Sequence, residues 1–285
     1  MLQDIHPHKL KNTYNPGLEA DAESLVIHFD REGKILTKKE GKPFPRLSEF
    51  KSTPSTLTYL FSMDEDTVFL AEDEVVEAPD DTFYMKIRDF RKKEDIPKKS
   101  VFEAFTAKQL SSWYLNNKYC GRCGAFTRRS RTERAIVCGK CGNIIYPRVV
   151  PAVIVGLIKR GETREEDEIL LTKYNGRSDV PYYALIAGFT EIGETFEETV
   201  AREAMEETGL HVKNIRYYKS QPWGVVDDIL AGFYCELDGT DKITRDEGEL
   251  SVAEWVRREN VVLQPDNFSL TNEMMTLFKE GREPV

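Results

Sequence analysis

The sequence predicts an α+β / α/β protein in three parts. These are a small, mainly β N-terminal domain over residues 1–112, a four-cysteine ribbon over 113–147 and an α/β domain over 148–285. Three observations predict it. Short apolar runs rich in β-branched and aromatic residues, separated by turn residues, fill much of the first hundred positions. Two CxxC pairs, Cys120/Cys123 and Cys138/Cys141, stand fourteen residues apart in the middle. Beyond them, extended apolar runs lead into Gly188–Leu210, GFTEIGETFEETVAREAMEETGL, an acidic segment with its own helix start and stop signals.

Length and composition bound the answer. A chain of 285 residues suggests about two domains and can bury a substantial core. It is 40% hydrophobic and 31% charged, and it lacks any apolar run near the roughly 18 residues of a membrane helix. No membrane partner is expected. The first residues, MLQDIHPHKLKNTYNPG, carry no signal-like apolar region, so a cytoplasmic protein is expected. A net charge of −9 argues against a dedicated nucleic-acid binder and leaves room for a local basic patch. Four of the five cysteines in CxxC pairs fit metal binding in a reducing compartment better than disulfides.

In chain order, 25–29, the turn 30–33 and 35–36 read as a β-hairpin. Residues 57–62 and 67–70 read as a second hairpin, and 84–87 as a further strand. His6, His8 and His28 have no partners at ligand spacing and read as structural. A charged linker, Arg91 to Lys99, precedes a helix with Thr106 as its cap and Leu110, Trp113 and Tyr114 on one face.

Each CxxC lets two thiolates reach one ion, and the gap between the pairs suits a hairpin that brings them together. Four thiolates close a tetrahedral Zn2+ site with no open position, so this zinc is expected to be structural. The intervening run TRRSRTER, with Arg128, Arg129, Arg131 and Arg134, suits a nucleic-acid backbone or a substrate phosphate. Cys235, within an apolar run, reads as core. Val149–Leu157 reads as a buried strand, with Pro151 pointing to an edge or bulge at its start. Residues 168–172 and 182–188 continue the sheet, and Ser269 caps a C-terminal helix that Gly281 ends.

The acidic segment carries the chemistry. Thr195 and Glu198 form a capping box that starts a helix near Phe196, and Gly209 stops it near Thr208. Glu203, Glu206 and Glu207, at i, i+3 and i+4, share one face, with Ala201, Ala204 and Met205 as an apolar seat on the other. Stacked like charges cost roughly 0.2–0.5 kcal/mol per pair, which Arg202 offsets in part and a hard divalent cation offsets more fully. A solvated acidic face is the competing reading of this spacing alone.

The full pattern decides between them. Gly188, Glu194, Arg202-Glu203, Glu206-Glu207 and Gly209-Leu210 match the Nudix box, with Ala204 as the one soft departure. The sequence therefore resembles a Nudix hydrolase. That resemblance implies an α/β/α sandwich cleaving a diphosphate linked to another moiety, with Mg2+ or Mn2+ as the metal. A β-rich N-terminus, a four-cysteine ribbon, Tyr146-Pro147-Arg148, the box and Ser220-Gln221-Pro222-Trp223 together resemble the NADH pyrophosphatase subfamily. The likeness covers nearly all of the chain from Thr106. The subfamily continues with Pro-Phe-Pro, a variable residue and Ser; here Gly224 to Asp228 stand instead.

The resemblance implies a catalytic set of Glu203, Glu206, Glu207, Arg202 and Glu249. Of these, Glu203, Glu206, Glu207 and Glu249 hold Mg2+ or Mn2+, and Glu206 is either a ligand or the water-activating base. It implies substrate contacts at Tyr146, Ala187, Phe189, Glu133, Ser220, Gln221, Trp223 and Asp228, the last where the family carries serine. Zn2+ would sit on Cys120, Cys123, Cys138 and Cys141. The expected reaction converts NADH or NAD+ to nicotinamide mononucleotide and AMP, extending to NAD-capped RNA, in a homodimer. Two alternatives stay open: a Nudix hydrolase of another nucleoside diphosphate derivative such as ADP-ribose, and a zinc-ribbon RNA-binding module with an inactive Nudix fold.

Overall fold

The computed structural model describes residues 1–176 and 182–284. They divide into two compact units: residues 1–3, 149–223 and 228–285 in one, and 4–148 with 224–227 in the other. The expected ribbon, 113–147, lies inside the second unit, and the expected boundary at 112/113 falls within a continuous helix.

That second unit begins with strands β1 (Leu10–Lys11), β2 (Leu25–His28), β3 (Ile35–Lys38), β4 (Leu57–Met63), β5 (Asp66–Ala71) and β6 (Thr82–Met85). The second expected hairpin forms: β4 and β5 pair antiparallel around Asp64, whose φ of 57° makes the turn. The first does not. Its turn closes, with a Phe29–Ile35 bridge, but β2 then pairs parallel with β5 and β3 antiparallel with β6. Distant partners thus draw the two strands into different sheets.

After a single helical turn, α1 (Ile87–Phe90), helix α2 spans Lys98–Asn116. It starts eight residues before the expected cap. Pro97 takes the cap position, and Val101, Phe102, Ala104 and Phe105 are already buried helical residues. Thr106 sits inside the helix, donating its hydroxyl to the Phe102 carbonyl. The ribbon follows as a three-stranded sheet, β7 (Thr127–Arg129), β8 (Ile136–Cys138) and β9 (Ile144–Ile145).

The other unit holds β10 (Val150–Lys159), β11 (Glu168–Tyr174), β12 (Ile186–Phe189), α3 (Phe196–Thr208), β13 (His211–Trp223), β14 (Asp228–Asp238), β15 (Leu250–Arg257) and α4 (Leu270–Lys279). Its sheet runs β13-β14-β10-β11-β15, with β12 also paired to β10. The strand β10 is therefore central and not an edge. Pro151, second in the strand, lies in the parallel register opposite Ile229, and its carbonyl accepts the Thr190 N–H.

Both sheet faces are buried. Val153, Val155, Leu157, Phe233 and Cys235 pack with Val200 and Ala204 of α3 on one side. On the other, Ile154, Ile158, Ile169 and Tyr234 pack with Leu270, Met274 and Phe278 of α4. The result is three layers, a mixed sheet between two helices. Gly156 is needed there, because a Cβ would meet the Tyr234 ring at 2.7 Å. Ser269 caps α4, accepting from the Asn272 amide, and Gly281 turns the chain with φ 66°.

Candidate active site

The helix α3 forms where its own residues direct it. Thr195 accepts from the Glu198 amide while Glu198 reaches back to the Thr195 N–H, and Gly209 ends the helix at φ 69°. What it buries differs from expectation. Val200, Glu203, Ala204 and Glu207 form the inward stripe, at i, i+3, i+4 and i+7, whereas Ala201 is exposed. Two of the three carboxylates thus point into the molecule; Glu206 stays outside, its side chain 61% exposed.

The strand before the helix makes room for this. A Cβ on Gly188 would lie 1.9 Å from the Glu203 carboxyl group, so only glycine lets the acid sit against the β12 backbone. Burial raises the Glu203 carboxyl above its ordinary range, against the opposing pull of Arg202. Burial also pushes Glu207 up to about 8, with Glu203 and Glu249 adding repulsion and a hydrogen bond from Tyr174 opposing it. The Tyr174 hydroxyl donates to Glu207 Oε1 at 3.1 Å and accepts the Ala187 N–H at 3.0 Å.

Arg202 is the hub. Its Nη1 donates to Glu203 at 2.7 Å and to Glu206 at 2.9 Å, its Nε to Glu194 at 2.6 Å, and its Nη2 to the Phe189 carbonyl at 2.8 Å. Glu194, held down to about 2 chiefly by Arg202, also accepts from the Glu191 N–H and the Thr199 hydroxyl. The loop between Gly188 and the helix is thereby tied to the helix itself.

An oxygen-only donor set, two of its acids desolvated and mutually repelling, suits a hard divalent cation. Among the described residues the carboxylates are spread more widely than the cysteines, whose four ligand atoms all lie within 4.8 Å of one another. In the ribbon, Cys120 pairs with Cys141 at 3.6 Å and Cys123 with Cys138 at 3.5 Å. The Arg122 amide holds the Cys120 thiol down to about 6. This closed four-sulfur set suits structural Zn2+.

Two of the remaining expected positions belong to the ribbon's unit and the rest to the other. Tyr146, exposed, donates to Glu133 Oε1 at 3.3 Å in the ribbon unit. Ala187 and Phe189 lie on β12 opposite Ile154 and Ala152, with the Phe189 ring exposed. Ser220 is exposed on β13, Trp223 is half-buried at its end, and Asp228 is buried at the start of β14. Gln221 departs from expectation. It is fully buried, its amide donating to Gln3 and the Phe268 carbonyl and accepting the Leu270 N–H, so it anchors the start of α4.

The segment that departs from the family pattern has a steric reason. Gly224–Asp227 forms a turn, and a Cβ at Gly224 would come within 2.4 Å of the Phe105 carbonyl oxygen. Proline would clash there. Sequence reasoning missed Tyr174, whose only signal is its place at the end of an apolar strand.

Residues 150–278 match the NUDIX domain model, and residues 115–146 match the NADH pyrophosphatase zinc ribbon domain model. The NAD-capped RNA hydrolase NudC of Shigella dysenteriae serotype 1 (strain Sd197) is 41% identical over 157 residues, 55% of this chain and 58% of that protein. The protein of the same name from Escherichia coli O9:H4 (strain HS) matches to the same extent. A NUDIX hydrolase from Nitrosomonas europaea superposes with a TM-score of 0.46 at 25% identity, over 57% of this chain and 91% of that one. The chain thus spans 58% of the length of the curated relatives it matches. With a box helix on one sheet face and a four-cysteine ribbon upstream, the chain carries a Nudix domain over residues 150–278 and the zinc ribbon domain of the NADH pyrophosphatases over 115–146.

Proposed function

We propose that this protein is a divalent-cation-dependent hydrolase that splits the diphosphate of NADH or NAD+ into nicotinamide mononucleotide and AMP, and that it removes NAD caps from RNA. One observation carries the reading: Glu203 and Glu207 lie on the inward stripe of α3, Glu203 against Gly188, with Arg202 spanning Glu194, Glu203 and Glu206. The relatives' description as NAD-capped RNA hydrolases and the NADH pyrophosphatase ribbon support the substrate class.

In this reading Glu203, Glu206, Glu207 and Glu249 hold Mg2+ or Mn2+. When bound, such a cation neutralises phosphate charge and lowers the pKa of a water. Water oxygen bonds to one phosphorus, the bridging P–O–P bond breaks, and a glutamate accepts the proton. Glu206 suits that last role because its carboxylate is exposed and accepts a hydrogen bond from Arg202 Nη1. Phe189 and Tyr146 offer exposed rings for stacking on the bases. The Ala187 backbone, Glu133, Ser220, Trp223 and Asp228 contact the substrate, while Gln221 acts at one remove by pinning β13 to α4. The working form is a cytoplasmic homodimer. ADP-ribose is the second reading, favoured by the turn at Gly224–Asp227 in place of the family's proline-rich segment.

The test is release of AMP from NADH, NAD+, ADP-ribose and NAD-capped RNA with Mg2+ or Mn2+. Glu207→Gln is expected to lower kcat by at least about a hundredfold, a barrier change of about 2.7 kcal/mol, while circular dichroism stays unchanged. Turnover of ADP-ribose alone would select the second reading. No turnover of any substrate with either metal would reject both.

A further inference from the structure

The strongly basic ribbon sits oddly in an acidic protein. Residues 115–146 contain seven lysines and arginines against one acid, Glu133, in a chain whose net charge is −9. Four thiolates and one Zn2+ would contribute −2 and still leave the module positive. Two of the arginines are used internally. Arg129 pairs with Glu72 and lies 4.2 Å over the Tyr114 ring, and Arg134 donates to Asn12 and the Leu60 carbonyl. The other five, Lys118, Arg122, Arg128, Arg131 and Lys140, are exposed, and none makes an ion pair among the described residues.

Several of these gather at one end. The guanidinium of Arg128 lies against Gly139, where a Cβ would approach Nη2 to 2.5 Å, and so stands beside Lys140. Arg122 occupies the same place in the first CxxC pair, and convergence of the four sulfurs brings the two knuckles together. Two aromatic rings flank the first knuckle. Tyr119 and Phe126 face each other across an antiparallel bridge, edge to face at 5.8 Å, and are 66% and 67% exposed. Rings left in water beside unneutralised cations are what an unpaired, negatively charged strand of bases can use, the bases stacking and the phosphates meeting the cations. A duplex hides the base faces and would engage only the charges.

We propose that the ribbon is a docking surface for single-stranded RNA, with Tyr119 and Phe126 as its stacking platform and Lys118, Arg122, Arg128 and Lys140 as its phosphate contacts. The inference rests on the reading that NAD-capped RNA is a substrate, and it assigns the body of that RNA to the ribbon.

The test uses the full-length, zinc-loaded protein and an uncapped, unstructured, dye-labelled RNA of about 15 nucleotides, followed by fluorescence anisotropy. Tyr119→Ala/Phe126→Ala is expected to weaken binding about tenfold or more, with zinc content retained and NADH turnover within about twofold of the parent. Arg128→Gln/Lys140→Gln is expected to lower the slope of log affinity against log salt by about 1.4, two phosphate contacts on a single strand. Unchanged RNA affinity in both variants overturns the proposal. So does a fall in molar mass on light scattering of the aromatic variant with its RNA affinity intact, which would assign the rings to a second copy of the chain. If the parent binds RNA through these residues but never hydrolyses NADH or capped RNA, the docking surface stands and the proposed reaction fails.

Discussion

At Gly188 the chain has no side chain because the Glu203 carboxyl group occupies the space a Cβ would need. The same logic of close approach explains Gly224 against the Phe105 carbonyl and Gly156 against Tyr234. Single residues also set how stability depends on pH. Glu103 on α2 is buried, its Oε1 has no hydrogen-bond partner among the described residues, and burial raises its pKa to about 7. An acid whose folded pKa is raised favours the folded state below its unfolded value of 4.5 and loses that contribution as pH rises through about 7. The full shift corresponds to about 3 kcal/mol. Glu103→Gln is therefore expected to flatten the fall in stability between pH 5 and 8 (the window of the shift, roughly) and to be more stable than the parent at the upper end. Urea melts across that range measure it, and parallel pH profiles for the two proteins would contradict it.

Among the elements, α3 was legible down to its ends, because capping box and left-handed glycine act within one turn of the helix. Its facing was not, since packing against the sheet, and not the repulsion among glutamates, decides which stripe is buried. The connection between β10 and β11 and the segment beyond β15 close on a buried ion cluster that no local pattern announces. Arg258 forks onto both oxygens of Glu283 at 3.0 and 2.9 Å and reaches Asp167 at 3.4 Å, and Asp167 also takes Arg160 at 2.8 Å. Removing Glu283 leaves Arg258 with only the longer Asp167 contact, which Arg160 shares, so buried positive charge is under-compensated at a cost of up to about 3–5 kcal/mol. Glu283→Gln should show that loss in denaturant unfolding, and pairing it with Arg258→Met should recover much of it. A single variant as stable as the parent would show that the cluster is not what holds the C-terminal segment.

For the molecule as a whole, each unit has its own means of stability. The Nudix unit encloses two apolar cores, one on each sheet face, and the other unit has a core among its N-terminal strands, whereas the ribbon within that other unit is a few short strands around four sulfurs. A structural Zn2+ in such a module supplies on the order of 10 kcal/mol of folding free energy. Cys138→Ser, or a strong chelator, is thus expected to remove about one zinc per chain and to lower amide protection in residues 118–146. Protection in β10, β14 and α4 should persist. Hydrogen exchange with mass spectrometry reads both regions at once, and uniform loss across the two units would contradict their independence.

Local chemistry determined by itself what the sequence made plain: the box and its helix limits, the second N-terminal hairpin, the four-cysteine site and the C-terminal cap. In each, the residues that decide lie within a turn or a loop of one another. Tertiary structure decided the rest. It turned Glu203 and Glu207 inward, set Tyr174 on Glu207, took Gln221 into the core, drew Arg129 and Arg134 away from the basic run, and made β10 central despite Pro151. These outcomes depend on partners tens of residues or more away in the chain, where strand pairing and burial outweigh the spacing of neighbours.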